Sequence, residues 1–279
     1  MLAYTALRLV DQGRLSLDKP LLTYYSYPRL LGQPRADRIT ARMVLGHTSG
    51  LPNWAQHPLA AGWKTSALPL KYAPDSCWNY SGEGYVFLQK TLEHITGKSF
   101  EALARQEVFG PLQMPNSSFG WQPRFAAHAA IGHDKAGKPT EIRRFAEPNG
   151  SFSLLTTAAD YNQFLQALLR GQGLQPATAR LLTTPANAAN RGGQPVTPAD
   201  AAIAWACGVG LTTTSRGPAL WHWGDNGDFK GFFLAFPDTK ESLLFFTNSA
   251  NGLQLTDDLH GLVIGPGEYQ PMQWLDAEK

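Results

Sequence analysis

"KGFFLAFPDTKESLLFFTN", residues 230–248, holds two apolar runs of strand length separated by a turn-forming stretch. Short runs rich in Phe and Leu on either side of "PDTKE" (237–241) read as the arms of an antiparallel hairpin. Upstream, "CGVGLTTT" (207–214) and "ALWHWG" (219–224) continue the β-prone pattern, so the chain from about residue 203 reads as an antiparallel sheet. Downstream, "LTDDLHGLVIG" (255–265) reads as a closing helix laid on one face of that sheet.

The part before the sheet has a different period. Apolar residues at helical spacing recur in "ARMVLGH" (41–47), "YVFLQKTLEHITG" (85–97), "SFEALARQEVFGPL" (99–112) and "TAADYNQFLQALLRGQG" (157–173). Gly97 is the natural stop of the second, and Thr157 the N-cap of the last. The expected class is α+β. Residues 1–200 are mainly helical, and residues 201–279 form an antiparallel sheet with a C-terminal helix, together one domain spanning 1–279. "PANAANRGGQPVTPAD" (185–200) is the candidate hinge between the two parts, and no internal repeat interrupts the chain.

Composition excludes several function classes. The 279 residues, 43% hydrophobic and 11% aromatic, are enough to bury a large core. With 24 basic against 22 acidic residues and no basic run, nothing attracts nucleic acid. The longest apolar runs fall far short of the ~20 residues needed to span a bilayer. Two cysteines, Cys77 and Cys207, are too few for a disulfide framework or a structural metal site. His128 and His133 are five apart and off a common helical face, so no metal and no cofactor is expected. "TGKS" (96–99) lacks a phosphate-loop glycine, since Leu92 stands five residues before Gly97. "GHTSG" (46–50) places Ser49 one position too late for a nucleophile elbow.

The first helix is unusual. "MLAYTALRLVDQG" (1–13) puts Leu2, Ala6, Leu9 and Val10 on one face and ends at Gly13, yet Met1 offers no side-chain acceptor as a cap. There is no basic leader and no small-residue cleavage site, so the stretch does not read as a signal peptide. It reads as the interior of a helix whose beginning is missing. Beyond it, "RLSLDKP" (14–20) holds the one Ser-x-x-Lys spacing in the chain, Ser16 and Lys19, at the helix exit between Gly13 and Pro20. The pair therefore follows the helix, away from its positive end.

Four stretches in order carry a resemblance: "LGHTSGLPNW" (45–54), "YSGEGYVFLQKTLEHITG" (80–97), "NGSFSLLTTAADYNQFLQALL" (149–169) and "HWGDNGDFKGF" (222–232). Together they resemble the serine hydrolases of the β-lactamase and penicillin-binding-protein superfamily, nearest to class C β-lactamases and family VIII esterases. The resemblance covers essentially the whole chain. It implies a β-lactamase/transpeptidase-like fold and acyl transfer through a Ser-x-x-Lys serine, with a Tyr-x-Asn tyrosine and the lysine sharing the proton transfers. Tyr80 matches that tyrosine as the catalytic proton carrier, and a phenol can serve so only where cationic neighbours lower its pKa. His222, Trp223 and Gly224 match the Lys/His-x-Gly strand, where Gly224 would let substrate lie against the backbone. The backbone N–H of Asp225 would donate to the oxyanion.

Two departures shape the expected function. Gly82 stands where the pattern has Asn, removing a side-chain amide and putting β-lactam recognition in doubt. His222 in place of Lys would supply a weaker, titratable cation for a substrate carboxylate, which leaves ester and other acyl substrates open. In that family Ser-x-x-Lys opens a buried helix, so the resemblance implies that Ser16 and Lys19, at a helix exit, are a decoy, that the motif ends a residue or two before Met1, and that the family's early strands are absent too. The expected function is a serine acyl hydrolase of esterase, β-lactamase or D-alanyl-peptidase type, represented by an N-terminally shortened chain. Its partners would be small ester, β-lactam or peptide substrates. The alternative is a non-catalytic relative that binds acyl or peptidoglycan-like ligands. Ser49 and Ser81 remain as substitute nucleophiles, although neither has a lysine three residues on. Loss of early strands would leave an apolar edge along "SLLFFTN" (242–248) open to self-association. The compartment stays open, although the resemblance suggests export of an intact protein.

Overall fold

The structure, a computed structural model, describes residues 1–265 and 270–276. Helices come first: α1 (Leu2–Asp11), α2 (Ala41–Leu45), α3 (Gly82–Thr96), α4 (Phe100–Ala104), α5 (Ala158–Arg170) and α6 (Pro176–Arg180). The rest is β1 (Asn187–Ala188), α7 (Pro198–Ala201), β2 (Ile203–Trp205), β3 (Gly210–Thr214), β4 (Gly217–Asp225), β5 (Lys230–Ala235), β6 (Ser242–Thr247), α8 (Thr256–Val263) and α9 (Gln270–Asp276). The fold is α+β, as expected.

Local chemistry sets the helix ends. The Ser81 hydroxyl accepts the N–H of Gly84 at the start of α3, and Gly97 closes that helix at φ 68°. A left-handed residue after the last turn suits glycine because a Cβ would clash there. Thr157 caps α5 by accepting the N–H of Asp160, and Gly171 ends it at φ 60°. Both helices match their sequence reading. α1 has no side-chain cap at Met1.

The six strands form one antiparallel sheet in sequence order. The hairpin read from residues 230–248 is present: Ala235 pairs with Ser242 and Lys230 with Thr247, and the turn closes through Phe236 N–H to the Glu241 carbonyl at 2.8 Å. Because strand side chains alternate, the sheet has two apolar faces. Leu220, Phe233 and Ala235 join the large core made by α1, α3, α4 and α5. Trp221, Phe232 and Leu234 face the other way, into a smaller core with Trp78, Trp205 and Trp274.

α8 lies against this second face, with His260 5.2 Å from the ring of Phe232, in keeping with the closing helix expected at 255–265. α9 was not anticipated and adds Met272, Trp274 and Leu275 to the same core. The stretch 185–200 also differs from a hinge. Asn187 pairs with Trp205 and Ala188 with Ala204, making β1 part of the sheet. Trp78 N–H donates to the Asn190 carbonyl at 2.9 Å, and Trp274 Nε1 to Asp200 at 2.8 Å. These bonds tie the stretch to the sheet and to the smaller core. Among the described residues, no helix is long and apolar enough to cross a membrane.

Candidate active site

A cleft of about 1880 Å³ opens between the helical part and the C-terminal end of β4. Its lining includes Tyr80, Gly82, His222, Trp223, Gly224 and Asp225, so these six residues, assigned through the resemblance, are brought to one place. Met1, Leu2 and Ala3 also line it, so the N-terminal end of α1 opens into the same space.

Tyr80 lies just before the Ser81 cap of α3, and its surroundings are aromatic. Its ring centroid is 4.3 Å from His47, 5.0 Å from Trp223 and 6.3 Å from His222. His47, at the end of α2, was not singled out from the sequence, although it lies within a quoted motif. It is almost fully buried and adopts φ 57°, a left-handed conformation uncommon for a residue with a Cβ. Its carbonyl accepts the N–H of Asn79 at 2.8 Å, and its Nδ1 accepts the N–H of Ser81 at 3.1 Å. His47 thereby holds the backbone on both sides of Tyr80. Since Nδ1 accepts, the ring proton of the neutral form sits on Nε2. Burial pushes the His47 pKa well below the ordinary imidazole value, and nearby His222 adds to the effect.

His222 sits on β4 with Nδ1 2.6 Å from the Trp223 carbonyl. Burial lowers its pKa to about 4, outweighing the raising effect of that carbonyl. The imidazole is therefore neutral near pH 7. This corrects the expectation of a cation at this position: the pocket strips away the water that would stabilise imidazolium. Gly224 has room around it, since an added Cβ would meet nothing nearer than the Gly231 nitrogen at 4.0 Å. Packing does not require this glycine, so its free space belongs to the cleft. The Asp225 carboxylate is paired with Lys230 and accepts the N–H of Gly227 at 2.9 Å. β4 extends past β3, whose pairing stops at Trp221, so Trp223 to Asp225 pair only with β5 among the described strands.

Gly82 has a packing reason that the sequence did not disclose. A Cβ there would come within 2.6 Å of Cη2 of Trp54. The indole occupies the space into which a side chain at position 82 would project. Beneath it, Glu83 is fully buried and binds Arg29 through both oxygens, at 2.6 and 3.0 Å. Glu83 Oε1 also accepts Trp63 Nε1 at 2.8 Å and Ala55 N–H at 3.1 Å.

Of Ser16, Ser49 and Ser81, Ser81 alone lines the cleft. Ser16 is exposed, its Oγ accepts the Asp18 N–H, and Lys19 lies over the Tyr24 ring. Neither of the pair lines the cleft. Ser49 is fully buried. Ser81 Oγ donates to the Pro52 carbonyl and accepts the Gly84 N–H, both at 2.8 Å. His133 Nδ1 is 3.1 Å from the Asn248 carbonyl at the surface.

Comparison with known proteins supplies the family. Among curated proteins, the chain is similar to putative penicillin-binding protein PbpX of Bacillus subtilis, at 24% identity over 200 residues, covering 69% of this chain and 50% of that protein. It is also similar to the lovastatin esterase of Penicillium rubens, at 26% identity over 215 residues, covering 62% of this chain and 54% of that protein. The chain spans about half the length of these relatives. Among solved structures, a D-stereospecific amidohydrolase from Streptomyces superposes with TM-score 0.73 at 19% identity, covering 95% of this chain and 84% of that one. A class C β-lactamase superposes with TM-score 0.70 at 19% identity, covering 89% and 74%. These two likenesses establish the fold. The β-lactamase family model matches residues 1–263, nearly the whole chain, and the chain is a member of the β-lactamase family.

Proposed function

We propose that this chain carries the tyrosine-bearing part of a serine acyl hydrolase, with Tyr80 as the proton carrier. The observation that carries the reading is the convergence of Tyr80, His222 and the N-terminal end of α1 on one cleft. A serine placed just ahead of α1 would have its oxygen at the positive end of the helix, where developing negative charge is favoured. A lysine one turn later would share the pocket with Tyr80. In this reading the nucleophile lies in residues N-terminal to Met1 of a longer chain.

The reaction follows from these positions. The serine hydroxyl gives its proton to the Tyr80 phenolate as its oxygen bonds to the substrate carbonyl carbon. The oxyanion is held by the N–H of Asp225 on the free side of β4 and by the N–H of the serine. Tyr80 returns the proton to the leaving group, and the carbonyl re-forms as an acyl-enzyme. Water then attacks that ester, giving its proton to the same phenolate, which passes it to the serine oxygen as the acyl–serine bond breaks and the acid leaves. His222, neutral and held by the Trp223 carbonyl, shapes the wall of the pocket rather than charging it.

The test is hydrolysis of p-nitrophenyl acetate by the protein extended to its upstream reading frame. Turnover that falls at least a hundredfold in Tyr80→Phe supports the reading, in line with the ~10²–10⁴ typical of a positioned proton carrier. Turnover unaffected by Tyr80→Phe refutes it. One observation favours a second reading: Ser16 and Ser49 have no place in acyl transfer here, and Ser81 is engaged as a cap. A stop codon upstream before any Ser-x-x-Lys would refute the shortened-enzyme reading and leave a protein that binds acyl ligands without turning them over, or a pseudogene product.

A further inference from the structure

Gly82 is where three parts of the cleft wall meet. Its N–H donates to Asn53 Oδ1 at 3.0 Å, tying it to the segment that carries Trp54. Its carbonyl accepts Ser151 Oγ at 3.1 Å, tying it to the segment that carries Phe152. Its missing side chain makes the room that the Trp54 indole fills. Trp54 then meets Phe152 edge-on at 5.8 Å, and Phe152 meets Phe145 edge-on at 5.6 Å. All three rings are only partly buried and line the cleft beside Tyr80.

The rings are held in place. The buried Glu83 carboxylate binds Ala55 N–H and Trp63 Nε1, and Trp63 packs edge-on against Trp54 at 6.0 Å. Asn226 Nδ2 donates to the Phe152 carbonyl at 2.8 Å. A preformed surface of this kind keeps its geometry when empty, so little ordering opposes binding.

The cations of the cleft are only partly paired with anions. Lys230 is paired with Asp225 and Arg143 with Asp228. Arg191 stacks on the Trp274 ring and donates to its carbonyl, while Arg124 lies over Phe125 and Lys71 over Tyr72, contacts that leave each charge uncompensated. The three rings carry no charge, so they select by shape and apolar area rather than by attracting an ionised group.

We propose that Trp54, Phe152 and Phe145 form an aromatic-recognition subsite beside Gly82, taking the uncharged aryl group of an ester or amide ligand. This deepens the acyl-hydrolase reading and rests on it for the word substrate, but binding itself requires no nucleophile. Acyl transfer is judged by turnover, and the subsite is judged by equilibrium binding, so the two fail separately.

The probes are phenylacetamide and hexanamide, each titrated at pH 7 into the protein by calorimetry or ligand-observed NMR. Phenylacetamide is expected to bind more than roughly fivefold tighter than hexanamide, the scale of one aromatic contact. In Trp54→Leu, with Phe152→Leu as a second variant in case the first fails to fold, the preference over hexanamide should drop below twofold. No detectable binding of phenylacetamide, a wild-type preference of fivefold or less over hexanamide, or a preference that survives in the folded variants would overturn the proposal.

Discussion

The imidazole of His47 lies 4.3 Å from the ring of Tyr80, and its Nδ1 accepts the N–H of the next residue, Ser81, at 3.1 Å. One side chain thus fixes both the ring and the backbone of the proposed proton carrier. Replacing it with Ala removes the ring contact, leaves a buried N–H without its acceptor, and keeps a side-chain-bearing residue at φ 57°. The expected loss of stability is about 2–4 kcal/mol by urea denaturation. A loss within about 0.5 kcal/mol, the scale of a surface change, would show that His47 does not hold this segment.

Glu83 and Arg29 are 0% and 3% exposed, and Glu83 fixes the segment carrying Trp54 and Trp63 as well as the start of α3. Removing one partner strands a charge in the interior. Glu83→Ala is expected to destabilise the fold by about 3–5 kcal/mol, with a double Glu83→Ala/Arg29→Met variant recovering part of the loss. Equal or greater loss in the double variant would mean that the stranded charge is not the cause.

The pH dependence follows from His222, whose pKa is about 4 in the folded protein against an ordinary 6.5, because of burial. Between those values the unfolded chain binds the proton and the folded one does not. Stability from this residue is therefore complete above pH 6.5 and is lost as pH falls to 4, by up to about 3 kcal/mol. His47, shifted in the same direction, adds to the slope. Urea unfolding followed from pH 7 to pH 4 should show a shallower decline in His222→Gln than in the wild type. Identical slopes would contradict a buried neutral imidazole.

Much of this arrangement was legible where the signal is local. The 230–248 hairpin announces itself through two apolar runs and a turn. α3 and α5 announce themselves through a capping hydroxyl at one end and a left-handed glycine at the other. β1, two residues long, and α9, seven, carry no such signals and exist because Trp205 and Trp78 give them something to join. The tryptophan core unites Trp78, Trp205, Trp221 and Trp274, which lie far apart in the chain. The site shows the same division. Tyr80 and His222 stand in motifs, but the neutrality of His222 comes from burial and the importance of His47 from a tertiary bond. Gly82 reads in sequence as a missing amide; in the structure it is the space that Trp54 fills.

β6 pairs with β5 alone among the described strands, and Phe246 on it is 43% exposed. An apolar strand with an open hydrogen-bonding side tends to recruit another. The 279-residue chain is expected to self-associate at micromolar concentration, with Phe246→Lys shifting it toward monomer in light scattering. A monodisperse wild-type monomer at that concentration would count against this edge as an interface.

The central claim, that the cleft around Tyr80 serves a serine placed ahead of α1, is tested most directly by covalent labelling. The protein translated from the full reading frame is treated with a fluorophosphonate, and the adduct is located by intact-mass and peptide mass spectrometry. One adduct is expected, on a serine of a Ser-x-x-Lys sequence just before Met1, and none on Ser16, Ser49 or Ser81. An adduct on any of those three, or no adduct at all, would contradict it.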